Sequence, residues 1–408
     1  MAGPLEGITV IDWTIWQMGP VATAMLADLG ADVVHIENRV SGDPGRGIAL
    51  RGAPRDVKGR PAYFEYVNRG KKGITLDVVK EKGKEVVYRL VKHADVFVHN
   101  FRQGVPERLK LDYETLSRYN PKLIYAAASG YGPKGPEAKE PALDPMGIAR
   151  SGIMYLIDSE PDSPPQAVFG GVADQIGAIM TAFGVVTALV ARERLGIGQK
   201  VDTSHLGSMT TLLGINIGVP ALLGEAGQRI TLRRSRADTV NPLLNFFLCQ
   251  DGKWLQLGML QADRYWPTLC KGLGIEYLEK DPRFENAAKR AENCREINGI
   301  LDRIFITKSA AEWMKVLKEA GDFICTPVQT ISDLFSDPQV VANEYIIDCQ
   351  HAVLGSIKSL GLPVQLSKTP GEVNCTAPEF GQHTEEVLAK LGGYSWKEIA
   401  QLRDEEVI

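Results

Sequence analysis

The sequence lacks the motifs that most often announce a nucleotide-dependent or serine-dependent enzyme. It has no GxGxxG after its first apolar strand, no GxxxxGK[ST] and no GxSxG. The usual backbone cradles for dinucleotides and triphosphates, and the serine elbow, are therefore missing. A nicotinamide-dependent dehydrogenase becomes a weak reading. Positive charge is not in excess: 46 Lys and Arg against 50 Asp and Glu give a net charge of −4. That balance argues against the basic field needed to displace the counterions of a nucleic acid, so no nucleic-acid partner is expected. The six cysteines (Cys249, Cys270, Cys294, Cys325, Cys349 and Cys375) form no CxxC, and the six histidines show no HxxxH spacing. Reduced, mostly buried thiols in a cytoplasmic protein without a metal are expected. No basic stretch leads into a long apolar run at the N-terminus, so no signal peptide is expected. The most apolar segment, 176–191, falls short of the roughly 20 residues that a membrane span needs. It also carries Gly177, Thr181, Gly184 and Thr187, and reads as a buried core helix with no membrane partner.

What is present alternates. ITVIDWT (8–14), ADVVHIE (31–37), DVFVHNF (95–101) and KLIYAAASGYG (122–132) read as strands. Between them, 19–30, 80–94 and 112–121 read as helices, the last opening on an Asp cap and ending at Pro121. Strands alternating with helices predict βαβ units and an open, mostly parallel, Rossmann-like α/β sheet. Ligands of such sheets sit beyond the carboxyl ends of the strands. A long helix is expected from Asp174 to about Leu195, then a break at 195–204 and a second apolar helix over 204–223. A hairpin around Asp251-Gly252, helices at 264–273 and 311–321, a return linker at 325–338 and a final helix at 383–393 follow. The expected division is 1–225 for a large domain, 226–334 for a smaller inserted α+β domain, and 335–408 for a segment completing the large one.

Several basic residues fall on strand-end loops: Arg39 and Arg46 around SGDPG, Lys71 and Lys72 after NRG, and Arg102 and Arg108 in NFRQGVPER. Any one of them is more often a solvated surface residue. As a set they suit a polyphosphate, with SGDPG offering backbone N–H groups. Asp174 stands alone at the head of the apolar segment. Asp is a favoured helix N-cap, and that explanation is the commoner one. A carboxylate held ionised where water is scarce is also a nucleophile for an activated acyl group.

The stretches GPLEGITVIDWTIWQMGPVATAMLADLGADVVHIEN, KKGITLDVVKEKGKEVV, NPKLIYAAASGYGPKGP, GGVADQIGAIMTAFGVVTALVARERLGIGQKVD and GQHTEEVLAKLGGYS together resemble the class III CoA-transferases, from Pro4 to the C-terminus. That group includes formyl-CoA, carnitine, aryl-lactate and benzylsuccinate CoA-transferases. The resemblance implies that Asp174 is the catalytic aspartate and that Gln17 lies beside the reacting carbonyl. It implies that Arg39, Lys72 (with its register open by one residue), Asn100, Phe101 and Arg108 hold coenzyme A, which enters as acyl-CoA. It also implies an interlocked, ring-like dimer, either of identical chains or with a related subunit. The long Gly-rich lid of formyl-CoA transferase has no counterpart here; RADTVNPLLNF stands in its place.

The implied reaction moves CoA from an acyl-CoA donor to a carboxylic acid through mixed anhydrides and an aspartyl-CoA thioester. An α-methylacyl-CoA racemase is the alternative within the same superfamily. Its histidine would fall at Leu143, just before Asp144, so the second acid/base is missing there; a cap of the following helix explains Asp144 at least as well as a catalytic role. A non-catalytic partner subunit is a third reading, opposed by the presence of both Asp174 and Gln17. The loop IWQMG, the pair Phe246–Phe247 and the basic Arg233, Arg234 and Arg236 suggest a bulky substituted succinate such as benzylsuccinate as acceptor, with succinyl-CoA as donor. Ordinary core and an exposed basic loop are the competing explanations for those residues.

Overall fold

The structure is a computed structural model. It describes residues 3–49, 54–157, 164–168, 170–224 and 235–408. Its larger compact unit comprises Met1–Ile153, Val168–Gly227 and Pro338–Ile408, and its smaller one Met154–Ala167 and Gln228–Asp337.

The larger unit is built on six parallel strands: β1 (Thr9–Trp13), β2 (Asp32–Glu37), β3 (Lys72–Thr75), β4 (Val96–His99), β5 (Ile124–Ser129) and β6 (Gln199–Ser204). Their order is β3-β2-β1-β4-β5-β6, which places the reversal of strand order between β1 and β4. The central strands are buried on both faces and read as continuous apolar runs. Helices α1 (Met18–Asp28), α2 (Glu81–Val91), α3 (Tyr113–Tyr119), α4 (Asp144–Ser151), α5 (Val172–Leu195) and α6 (His205–Leu212) follow these strands. One core, with Ile11, Val34, Ile74, Val87, Phe97 and Tyr125, lies under α2 and the C-terminal helices; the other, with Val10, Val33, Val96, Ile124, Val185 and Leu189, lies under α5.

The two outer strands, β3 and β6, were not legible as strands in the sequence. KGIT is four residues long, and QKVDTS is polar with an alternating half-exposed pattern. The outer edge of β3 is closed by the C-terminal segment. Gly73 N donates to His383 Nδ1, His383 N to Gly73 O and Thr75 N to Thr384 Oγ1. The expected second apolar helix is split at Leu213 into α6 and Gly214–Leu222. Helix α5 has the length and hydropathy of a membrane span. Its small residues instead let it lie close to the protein: Gly177 sits on Met18 and Gly184 on Val201, where a Cβ would come within 2.7 Å.

In the smaller unit, Phe246–Leu248 and Trp254–Leu257 form the expected hairpin. Residues 325–327, expected in a linker, instead add a third antiparallel strand, pairing Cys325 with Leu257. The reduced state expected for all six cysteines is corrected for two of them: Cys349 and Cys375 form a disulfide.

Buried charge beneath the start of α1 ties this region together. Asp12, His35 and Lys71 are fully buried. Asp12 accepts from Thr14, Thr23 and Lys71 at 2.5–2.8 Å and lies 3.0 Å from His35 Nδ1. Burial alone would lower the His35 pKa, but the adjoining Asp12 carboxylate outweighs it and raises the pKa to about 9. The folded value lies above the ordinary 6.5. Stability from this ion pair is therefore fully present below pH 6.5 and is lost as pH rises through 9. We expect the thermal midpoint to fall across that window, and His35→Gln to flatten the fall. An equal slope in both proteins would show that His35 is not the titrating group.

Candidate active site

At the carboxyl edge of the sheet the β1–α1 turn meets the head of α5, which carries Asp174, and the start of α6 brings His205 to it. The β1–α1 turn carries Gln17. Its backbone is pinned by Asn100, which accepts from Ile15 N at 2.9 Å and donates to Ile15 O at 2.6 Å. Asp43 Oδ1 accepts from Trp16 N at 3.3 Å, and Trp16 adopts a positive φ of 67°. Asn100 is therefore a support for the Gln17 turn, whatever else it touches. Phe101 packs on Trp13, ring centroids 4.3 Å apart.

Helix α5 starts at Gly171, whose φ of 69° suits glycine. A Cβ there would lie 2.4 Å from the Gln17 amide, so this glycine is what lets Gln17 approach. Gln17 Nε2 lies 3.5 Å from Gly171 O, and the Tyr63 hydroxyl donates to Gln17 Oε1 at 3.4 Å. Burial, and then the carboxylates of Asp174, Asp43 and Asp144, push the Tyr63 pKa up, so the hydroxyl keeps its proton. Tyr63 joins the site without any motif to announce it.

Asp174 itself is not an N-cap of its helix. The free amides of Ala173 and Asp174 are taken by Asp144 Oδ1, at 2.7 and 3.1 Å. Asp144, for which the sequence leaves open a cap of the helix that follows or a catalytic role, caps α5 instead, and burial raises its pKa. The Asp174 side chain is left for other work. It is 16% exposed, and its Oδ1 lies 2.8 Å from His205 Nε2. Sequence reasoning passed over His205. It lies 31 residues from Asp174, and only its place directly after β6, at the edge where ligands bind, could have pointed to it.

The basic set separates. Arg46 makes a two-pronged ion pair with Glu37 and lies over Phe64; Lys71 is fully buried on Asp12. Lys72 begins β3 and pairs with Asp32 at the amino end of β2, so it lies away from the carboxyl edge. The SGDPG amides are also committed: Ser41 donates to Asn38 Oδ1, Gly42 to Asn38 O, Asp43 to Glu37 and Gly45 to Asp43. Arg39 and Arg102 remain on strand-end loops and Arg108 ends the short helix Val105–Arg108; Arg39 is paired to Glu406 at 3.3 Å and the other two are exposed. Phe247 is core, stacked on Phe305, and Arg236 is tied to Asp302. Arg233 and Arg234 lie outside the described residues.

A family model described as CoA-transferase family III matches residues 5–384. A protein of Fusarium pseudograminearum named acyl-CoA transferase is 33% identical, covering 100% of this chain and 88% of that one. Succinyl-CoA–D-citramalate CoA-transferase of Chloroflexus aurantiacus is 32% identical, covering 99% and 98%. The crystal structure of a CAIB/BAIF family protein from Brucella suis superposes with a TM-score of 0.83 at 30% identity, over 96% of this chain and 100% of that one. The chain belongs to CoA-transferase family III, the class III CoA-transferases.

Proposed function

We propose that this chain transfers CoA from succinyl-CoA to a substituted succinate, with Asp174 as the covalent nucleophile. The observation that carries the reading is the commitment of the α5 amides to Asp144, which frees a poorly hydrated Asp174 carboxylate in the first turn of a helix whose cap, Gly171, meets the Gln17 amide. Asp174 attacks the thioester carbonyl, giving a mixed anhydride and CoA thiolate. The thiolate attacks the Asp174 carboxyl carbon, releasing the donor acid and leaving an aspartyl-CoA thioester. The acceptor carboxylate then reverses both steps. Gln17 stabilises the tetrahedral centre on the substrate, and exclusion of water protects the anhydride. Arg39, Asn100, Phe101 and Arg108 are assigned to the CoA moiety; Lys72 is the weakest member of that group, given its position.

The C. aurantiacus relative supports the substrate class, because citramalate is itself a substituted succinate. The case for an aromatic acceptor loses Phe247 to the core, and benzylsuccinate stays as one acceptor to be tested. The racemase reading is disfavoured by geometry. Two acid/base groups must flank the carbon they deprotonate, whereas His205 and Asp174 are hydrogen-bonded to each other. We further propose that a second chain, identical or related, covers the apolar surface of α5 and 214–223, where Phe183, Ile215, Leu222 and Leu223 are 63–89% exposed. A cytoplasmic location fits acyl-CoA substrates, although the Cys349–Cys375 disulfide weighs the other way.

The test is initial-rate assay of the purified protein with succinyl-CoA against citramalate, mesaconate, benzylsuccinate, oxalate and formate. The expected result is CoA transfer to one or more of the dicarboxylates with a four-carbon backbone, with little to oxalate or formate. Transfer confined to oxalate or formate would overturn the substrate class. Epimerisation of a 2-methylacyl-CoA without transfer would overturn the transferase assignment for this chain.

A further inference from the structure

We propose that His205 is a catalytic residue, whose Nε2–H binds the oxyanion formed each time CoA joins or leaves the Asp174 carboxyl carbon. The proposal rests on Asp174 acting as nucleophile.

His205 is the first residue of α6, held by the Ser204 cap, whose Oγ accepts from Gly207 N at 3.0 Å. Its ring is confined by the close approach of α4. A Cβ on Gly147 would fall 2.7 Å from His205 Cβ and 3.0 Å from Ala173 Cβ. The imidazole side chain is 8% exposed. Its Nδ1 is buried without a partner among the described residues, so the ring's hydrogen bonding is directed at Asp174 alone. A carboxylate oxygen only accepts, which places the hydrogen on Nε2. Among the described residues Asp174 Oδ2 has no such partner. The carboxylate is thereby divided into a held oxygen, Oδ1, and an attacking oxygen, Oδ2.

The division matters in the second and third steps. Once Oδ2 has attacked the donor, Oδ1 is the carbonyl oxygen of an anhydride. CoA thiolate adds to the carboxyl carbon, the C–S bond forms, and the carbonyl electron pair moves onto Oδ1. Collapse of this intermediate breaks the bond from carbon to Oδ2, and the donor acid leaves as its carboxylate, taking Oδ2 with it. The acceptor carboxylate then adds to the same carbon, and CoA thiolate is expelled. No proton, oxidant or reductant is consumed. Oδ1 carries about half a charge in the resting carboxylate, little in the anhydride or thioester, and a full charge in each tetrahedral intermediate formed at the Asp174 carboxyl carbon. A donor fixed on Oδ1 is strongest where charge peaks, which is the condition for acceleration. Gln17 is placed for the substrate carbonyl; His205 serves the enzyme's own.

The experiment is rapid-quench intact mass spectrometry of the wild type, His205→Leu and His205→Gln, mixed with succinyl-CoA and no acceptor. The two covalent species differ in mass, since the anhydride adds a succinyl group and the thioester adds CoA. In wild type the CoA adduct is expected to accumulate. His205→Leu should slow its appearance by about 10²–10³-fold, the scale for losing one oxyanion donor, while the succinyl adduct builds up. His205→Gln, which can present an amide N–H, should recover at least about tenfold of that loss. Should the leucine variant misfold, the glutamine variant alone still reports, because a slower thioester step with a visible anhydride is expected there too. CoA adduct appearing in His205→Leu at the wild-type rate would overturn the proposal. So would equal slowing of both adducts, which would mean that His205 only positions Asp174. If the wild type transfers CoA but the adduct maps to another residue, the Asp174 reading falls, and this proposal with it.

Discussion

Asp174→Asn will reduce CoA transfer by about 10⁴-fold or more, the scale for removing a covalent nucleophile. Asparagine keeps the shape of the side chain and retains an oxygen that can accept from His205 Nε2. The amide cannot attack a thioester, so the loss would report chemistry and not collapse of the site. Stability should change little. A charge in the first turn of a helix contributes about 0.3–1 kcal/mol, and the α5 amides are held by Asp144, not by Asp174. Initial rates, together with intact mass after incubation with succinyl-CoA, make the measurement. A variant that keeps a tenth or more of wild-type activity would remove Asp174 from the covalent route.

Lys71→Met will cost about 3–5 kcal/mol of stability, the range for leaving a buried charge without its partner. Lys71 Nζ donates to Asp12 Oδ2, Asn68 Oδ1 and Pro20 O, each at 2.8 Å. Burial would raise the Asp12 pKa; Lys71 and His35 together hold it well below the usual carboxylate range. With Lys71 gone, Asp12 keeps only His35 and two hydroxyls. The Thr23 hydroxyl ties β1 to α1 and the Thr14 hydroxyl holds the start of the turn between them, so the turn carrying Gln17 should loosen as well. Urea unfolding should show a lower midpoint with an unchanged m-value. The double variant Asp12→Leu/Lys71→Met should not return to wild-type stability, because His35 Nδ1 and the Thr14 hydroxyl then lose their buried acceptor. A single variant within 1 kcal/mol of wild type would show that Asp12 is satisfied without lysine.

The same buried pair explains part of what the sequence concealed. Lys71 and Lys72 are adjacent and chemically alike, yet one neutralises a core carboxylate and the other pairs with Asp32 at the amino edge of the sheet. Nothing local separates them: Lys71 stands just before β3 and Lys72 is its first residue, and KGIT was too short to read as a strand. Central strands such as IYAAAS were legible because burial on both faces forces continuous apolar runs. Edge strands need only half of that signal. The family resemblance singles out Asp174 and Gln17, and isolation at the head of an apolar helix also draws attention to Asp174. The contacts of Tyr63 with Gln17, of His205 with Asp174 and of Asp144 with the head of α5 had no such signal, because each joins residues distant in sequence.

The closing of β3 by residues near 383 bears on how the chain is made. From Thr75 to His383 is roughly 300 residues of synthesis. At about 5–20 residues per second, the outer edge of β3 stays unpaired on the ribosome for on the order of 15–60 seconds. An open strand edge is a template for pairing with another nascent chain. The brevity of KGIT, with a lysine at its start, limits what such a template can capture. The feature that hid this strand from sequence reading is thus also a safeguard during translation.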